Sequence, residues 1–267
     1  MMNFWEIYSS HWHGQSTPLR PTSLDLNLYE QFFNEAILNQ SHHNLLILGV
    51  TPELYKLGKA LKLYVRGYDE SKAMIQTVWP GPPQDVVTEN WLDIAKVLKD
   101  KSIVVCDGGF HLLKFEEQHN FIQTLQSESL IQSCFIFRFF LPVINKFNSS
   151  QILKKFEQKE IPTINYLKFH LWNAEDINKN NTIQLKNVWD TVMQRADGDV
   201  VKYFKKYGFS DEEILTFKLY EDNSTIYYFR TIDEINSLFL DTRNFRKAKI
   251  AYPSYPEGQY FPIIYYQ

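Results

Sequence analysis

The sequence predicts a doubly wound α/β domain, and three observations carry that expectation. Short runs rich in Val, Ile and Leu on both faces recur between residues 44 and 140. Helical segments separate them, and the chain ends in two strand-like runs around a Pro-Ser-Tyr-Pro-Glu-Gly turn. Strands that are apolar on both faces belong to a parallel sheet covered by helices on each side, and the terminal pair adds an antiparallel hairpin.

Taken in order, residues 1–40 combine Trp5, Trp12 and the turn-forming TPLRPTSLD stretch with an amphipathic helix over 24–38. Ser23 or Asp25 can supply its N-cap. NLLILGV (44–50) is the first strand. Thr51 as N-cap and Pro52 at the first helical position then open a helix reaching Ala60. LYVRGYD (63–69), DVVT (85–88), SIVVCD (102–107) and SCFIFRFF (133–140) are four further strands, with helices over 71–79 and 115–128. From Pro142 the rhythm becomes helical and charged, through QILKKFEQKE, YLKFHLWNAED and VWDTVMQRADGDVVKYFKKYG. TIDEINSLFL (231–240) is a closing helix before the FRKAKIAY and QYFPIIYY hairpin strands.

Composition narrows the function. With 28 basic and 31 acidic residues the formal net charge is -3, so no strong field points at nucleic acid or an anionic membrane. No run approaches the roughly 20 apolar residues of a membrane span. The opening MMNFWEIYSSHWHG has neither the basic start nor the apolar core of a signal peptide. Cys106 and Cys134 sit inside apolar strands, as buried reduced thiols do, and a cytoplasmic location is expected.

In open α/β sheets, ligands bind at the carboxyl ends of the strands near the point where strand order reverses. Four segments fall there. Gly49 ends the first strand and lets the backbone pass close to a ligand, but no G-x-G-x-x-G follows, which disfavours a pyrophosphate. Asp69 ends the second strand about twenty residues later, placed to accept ribose hydroxyls or to cap the next helix, a task Ser71 can also do. Asn90-Trp91 follow the third strand, either as an amide and a ring for adenine or as a turn and a core tryptophan. Cys106-Asp107-Gly108-Gly109 put a carboxylate and two glycines after the fourth.

These segments resemble the class I S-adenosylmethionine-dependent methyltransferases, and within them a poorly characterised bacterial branch. The branch carries an N-terminal Pro-Leu-Arg-Pro and has Leu-Gly-Val-Thr-Pro-Glu where the Gly-x-Gly loop usually stands. The matching segments are PLRP (18–21), LLILGVTPEL (45–54), YDESKAMIQTVWPG (68–81), NWLDI (90–94), CDGGFHLL (106–113) and FIFRFFLP (135–142). The resemblance implies a seven-stranded sheet whose last strand runs antiparallel, and S-adenosylmethionine as cofactor with S-adenosylhomocysteine as product. It implies that Gly49, Val50, Thr51, Pro52 and Glu53 lie beside the methionine part, Asp69 at the ribose, Asn90 and Trp91 at the adenine, and Asp107 with Gly108 near the cofactor amine or the acceptor. Met74, in the second of the long segments, counts with them. One departure is Asn90, where the family usually carries Asp; asparagine offers both a donor and an acceptor.

The change of rhythm along the chain divides one expected domain spanning 1–267. An N-terminal lid and helix (1–40) precede a cofactor-binding half (41–141), a helical substrate insertion (142–230), and a closing helix and hairpin (231–267). The lid, over residues 1–22, is expected to bring Arg20 to the site. Proline-braced on both sides, Arg20 suits the methionine carboxylate, with a surface ion pair to Asp25 or Glu30 as the other reading. No metal is expected, since no His, Cys and Asp cluster has ligand spacing. A base is needed only for a protonated acceptor. His111 is the candidate, ahead of His11 and His13, with a plain loop histidine as the alternative for each. Trp79 reads as packing, and Lys154-Lys155 and Lys205-Lys206 as solvated helix faces. The expected reaction is in-line methyl transfer to a small-molecule acceptor. A non-catalytic cofactor-binding regulator and a nicotinamide-dependent oxidoreductase are the alternatives. The acceptor and the oligomeric state are not legible in the sequence.

Overall fold

Alternation along the strands sorts the apolar side chains onto the two faces of one sheet. The computed structural model describes residues 4–96, 101–126, 133–143, 147–174, 180–240, 245 and 248–267. They form two compact units, one of residues 21–141 with 230–267, the other of residues 1–20 with 142–229.

The first unit holds a seven-stranded sheet. Its strands, numbered along the chain, are β1 (Asn44–Leu48), β2 (Tyr64–Asp69), β3 (Val86–Thr88), β4 (Ser102–Asp107), β5 (Cys134–Arg138), β6 (Ala248–Ala251) and β7 (Ile263–Tyr266). The order across the sheet is β3-β2-β1-β4-β5-β7-β6. The first five run parallel, while β7 pairs antiparallel with both β5 and β6. The α/β expectation and its closing antiparallel hairpin hold.

Leu45, Ile47, Ile103, Val105, Ile136 and Ile263 point to one face, where they meet Tyr29, Phe33 and Ala36 of the Ser23–Gln40 helix. Leu46, Leu48, Val104, Phe135, Phe137 and Ile264 point to the other, against Phe121 and Leu125 of the Phe115–Leu125 helix and Phe239 of the Ile232–Leu240 helix. Period-two alternation with both faces covered is why these strands read as continuous apolar runs. Phe239 stacks on Tyr266 with ring centroids 4.0 Å apart.

The N-cap of the Ser23–Gln40 helix is Thr22 rather than Ser23 or Asp25. Its hydroxyl accepts from the Asp25 N–H at 3.3 Å while Asp25 Oδ2 accepts from the Thr22 N–H at 2.8 Å. This reciprocal capping box needs a carboxylate three residues into the helix, the position Asp25 holds. Pro52 opens the Pro52–Ala60 helix as expected, after Thr51.

The second unit is helical around a small antiparallel sheet of Thr182–Gln184 and Ile226–Tyr228, which three-residue strands left unannounced in the sequence. Its helices include Phe4–Ser10, Ser149–Glu157, Ile164–Ala174, Leu185–Arg195 and Asp211–Lys218. The ends of the expected 115–128 and 166–176 helical segments and positions 246–247 of the hairpin lie outside the described residues. No described helix is long and apolar enough to cross a membrane.

Candidate functional site

Gly49, Asp69 and Trp91 come together at the carboxyl ends of β1 and β2. Gly49 leaves β1 with φ +94°, a left-handed conformation that glycine adopts without a Cβ penalty. Its N–H donates to the Tyr68 carbonyl at 2.7 Å, pinning the two strand ends. A Cβ there would stand 3.6 Å from Trp91 Cζ2 and 3.9 Å from Asp69 Oδ2, so ring, carboxylate and bare backbone converge.

Asp69 is half-buried. Its Oδ1 accepts from the Ser71 N–H at 2.7 Å, while Oδ2 has no hydrogen-bond partner among the described residues. Burial pushes the carboxyl up to about 6, with Glu70 adding to the rise and the Ser71 N–H opposing it. The helix-capping role belongs to Ser71, whose hydroxyl accepts from the Met74 N–H at 3.3 Å; Met74 itself is buried.

The Trp91 indole N–H donates to the Tyr68 carbonyl at 2.9 Å. The far edge of its ring lies over Gly109, where a Cβ would stand 2.5 Å from Cη2. Gly109→Ala therefore forces the ring off its hydrogen bond. The expected cost is about 1–2 kcal/mol, as for other overpacking changes, with an altered tryptophan emission. Unchanged stability and emission in the variant would refute this contact. Asn90 is exposed: its Nδ2 donates to Glu70 Oε2 at 3.1 Å and its Oδ1 accepts from the Leu92 N–H at 2.8 Å. Val50 and Thr51 are buried, and Pro52 and Glu53 half-buried. Trp79 packs its ring on Gly67 and Tyr55.

At the end of β4 the carboxylate of Asp107 is held by two hydrogen bonds from Arg138, the last residue of β5. Nε donates to Oδ1 at 2.6 Å and Nη2 to Oδ2 at 3.0 Å, and the Tyr29 hydroxyl adds a third bond to Oδ1 at 2.9 Å. Arg138 Nη1 also lies 3.7 Å from Asp25 Oδ1, which accepts from the Tyr255 hydroxyl at 3.0 Å. The guanidinium is fully buried. Burial works against its charge, but Asp107 and Asp25 outweigh that and hold it protonated. The Gly108 N–H donates to the Arg138 carbonyl at 3.0 Å, which fixes the start of the loop. None of this was anticipated, although an arginine inside the apolar run FIFRFF is a signal: a buried cation must meet a buried anion.

His111 is buried and stacked on Phe140 at 5.0 Å between centroids, and burial lowers its imidazole to about 3. It therefore stays neutral across the physiological range, whereas general bases work best with values near the operating pH. Burial raises both cysteine thiols to about 12, and both are free and buried. Arg20 belongs to the helical unit, where its guanidinium lies 5.4 Å from the Trp12 ring centroid. No group of three or more His, Cys, Asp or Glu among the described residues could hold a metal.

The sheet order separates two classes of Rossmann-like protein. Dinucleotide-binding domains run 3-2-1-4-5-6 in parallel, whereas here a reversed β7 is inserted between β5 and β6. Solved structures agree. The chain is similar to DhpI in the DhpI–SAM–HEP complex at 10% identity and TM-score 0.53, covering 99% of this chain and 94% of that one. It is similar to a chain of the complex between the Haloferax volcanii Trm112 methyltransferase activator and a provisionally named methyltransferase, at 8% identity, TM-score 0.50, and 100% and 98% coverage. The fold is the Rossmann-like methyltransferase fold. A Rhodobacter sphaeroides protein provisionally named a zinc-dependent alcohol dehydrogenase is also similar, at 10% identity, TM-score 0.58, and 100% and 98% coverage. At such identities these similarities speak to fold alone. No family model and no curated protein matches the sequence.

Proposed function

We propose that this chain transfers a methyl group from S-adenosylmethionine to a small-molecule acceptor. The observation that carries the reading is Asp69, a half-buried carboxylate at the carboxyl end of β2 with one oxygen unspent beside the bare backbone of Gly49. A carboxylate so placed can accept ribose hydroxyls, and the methyltransferase fold supplies the setting.

S-adenosylmethionine, when bound, supplies an electrophilic methyl on a sulfonium, so the protein has only to bind, orient and exclude water. In this reading Asp69 holds the ribose, the flat ring of Trp91 offers adenine a stacking surface, and Met74 contributes to the same pocket. Asn90 exchanges its exposed contact with Glu70 for the base. Gly49 to Glu53 face the methionine part. Asp107 works as a positioning residue, because Arg138 and Tyr29 already occupy its carboxylate, and the Arg138 carbonyl holds the Gly108 N–H. The balanced surface charge makes a small molecule a better acceptor than nucleic acid.

S-adenosylmethionine and S-adenosylhomocysteine are expected to bind stoichiometrically, and NAD and ATP not to bind. At about 100 times its dissociation constant the cofactor adds roughly 2.7 kcal/mol of stability, seen as a thermal shift. A shift with NAD and none with S-adenosylhomocysteine would overturn the reading in favour of an oxidoreductase. Label transfer from methyl-labelled cofactor into a metabolite extract then tests catalysis. Binding without any transfer would leave a cofactor-binding regulator in its place.

A further inference from the structure

The helical unit buries an amine with no counter-ion. Lys168 lies in the Ile164–Ala174 helix and is 1% exposed. Its Nζ donates to Asn165 Oδ1 at 3.1 Å and to Thr216 Oγ1 at 2.8 Å, and the Tyr220 ring centroid is 5.5 Å away. Among the described residues no carboxylate reaches it, and burial alone pulls its amine well below the ordinary lysine range. Two donated bonds match the two N–H groups of a neutral amine, which leaves one lone pair unspent.

The chain segment 12–16 closes over this group. The Asn165 amide donates to Ser16 Oγ at 2.9 Å, and a Cβ on Gly14 would stand 2.6 Å from Thr216 Cγ2. Both partners of Lys168 are thus in contact with it. In the same segment the Trp12 indole N–H and Gln15 Oε1 are buried and have no hydrogen-bond partner among the described residues, and Gln15 is only 4% exposed. The titratable groups around the cluster are Tyr8, Tyr220 and Tyr227, which burial holds protonated while Arg20 acts on Tyr8 in the opposite sense, and Glu212, whose Cγ would stand 3.2 Å from a Cβ on Gly14. Buried polar atoms without partners are uncommon, and here two accompany an uncompensated amine.

We propose that this cluster binds a small organic acid, with Lys168 and the Trp12 indole N–H as the donors to its carboxylate. The acid's proton passes to the lone pair of Lys168 Nζ, so a neutral amine and a carboxylic acid become a buried ammonium–carboxylate pair; from a carboxylate in solution, one proton is taken up from water. Gln15 Oε1 accepts from a hydroxyl on the same molecule. A carboxylate supplies what the cluster lacks, an anion with two acceptor oxygens. The site stands independently of methyl transfer.

The test titrates the full chain, without S-adenosylmethionine, with benzoate and with lactate at mildly alkaline pH, by calorimetry in two buffers of different ionisation enthalpy. At least one acid is expected to bind with uptake of one proton, its affinity falling as pH rises. Lys168→Met, which removes the amine and keeps the stem, should fold at least as stably and lose binding. Trp12→Phe should weaken binding on the order of tenfold, the effect of one hydrogen bond to a charged group. Absence of binding by both acids, binding without proton uptake, or undiminished binding in both variants would overturn the site. Because no cofactor is present, such a failure leaves the cofactor titrations untouched.

Discussion

Replacing Arg138 with leucine should destabilise the sheet-bearing unit by about 3–5 kcal/mol, the loss typical when one partner of a buried ion pair is removed. The guanidinium sits between Asp107 and Asp25, and all three side chains are almost wholly buried. Without it two carboxylates remain in a low-dielectric interior, where their charged forms are costly. Urea unfolding is expected to show a midpoint far below that of the natural chain. Asp25→Asn in the same background should recover part of the loss by removing one of the two charges. A deficit below about 1 kcal/mol would mean that the pair is replaceable, as some buried pairs are when apolar groups fill the space.

The second large effect is on binding. Asp69→Asn should weaken S-adenosylhomocysteine by on the order of 1.5–3 kcal/mol, roughly ten- to a hundredfold, the worth of hydrogen bonds to a charged acceptor. The folded protein should not suffer in proportion. Burial holds the Asp69 carboxyl at about 6, above its ordinary value, so the folded state binds this proton more tightly than the unfolded chain does. The stability it contributes is fully present below about pH 4 and is lost as pH rises through about 6. At neutral pH the ionised carboxylate is therefore a standing cost, which asparagine removes. Calorimetric titration beside thermal melting at pH 7 and at pH 4 separates the two effects. Unchanged affinity in a folded variant would leave Asp69 only its turn-forming bond to the Ser71 N–H.

Much of the architecture is written locally. Leu45 to Leu48, Ile103 to Cys106 and Cys134 to Phe137 are apolar at every position because both faces of each strand are covered, and that pattern needs no knowledge of the partners. Pro52 after Thr51 and Ser71 before Met74 mark helix starts through backbone chemistry that spans only three or four residues. The terminal hairpin follows from a turn between two apolar runs. By the same local logic Gly49, Asp69 and Trp91 stand after successive strands, and parallel order then brings them to one edge of the sheet.

What only the tertiary structure decided are pairings over long stretches of chain. Asp25, Asp107 and Arg138 lie far apart in sequence, and nothing local joins a helix-capping aspartate to a strand-ending arginine. In the sequence His111 reads as a candidate base or a plain loop histidine, and nothing local sets Lys168 apart from its neighbours. Burial, which depends on every neighbouring element at once, makes the first a neutral ring on Phe140 and the second an amine without a counter-ion. Periodicity and caps depend on nearest neighbours, and so are legible in the chain; desolvation and charge pairing depend on the completed interior, and so are not.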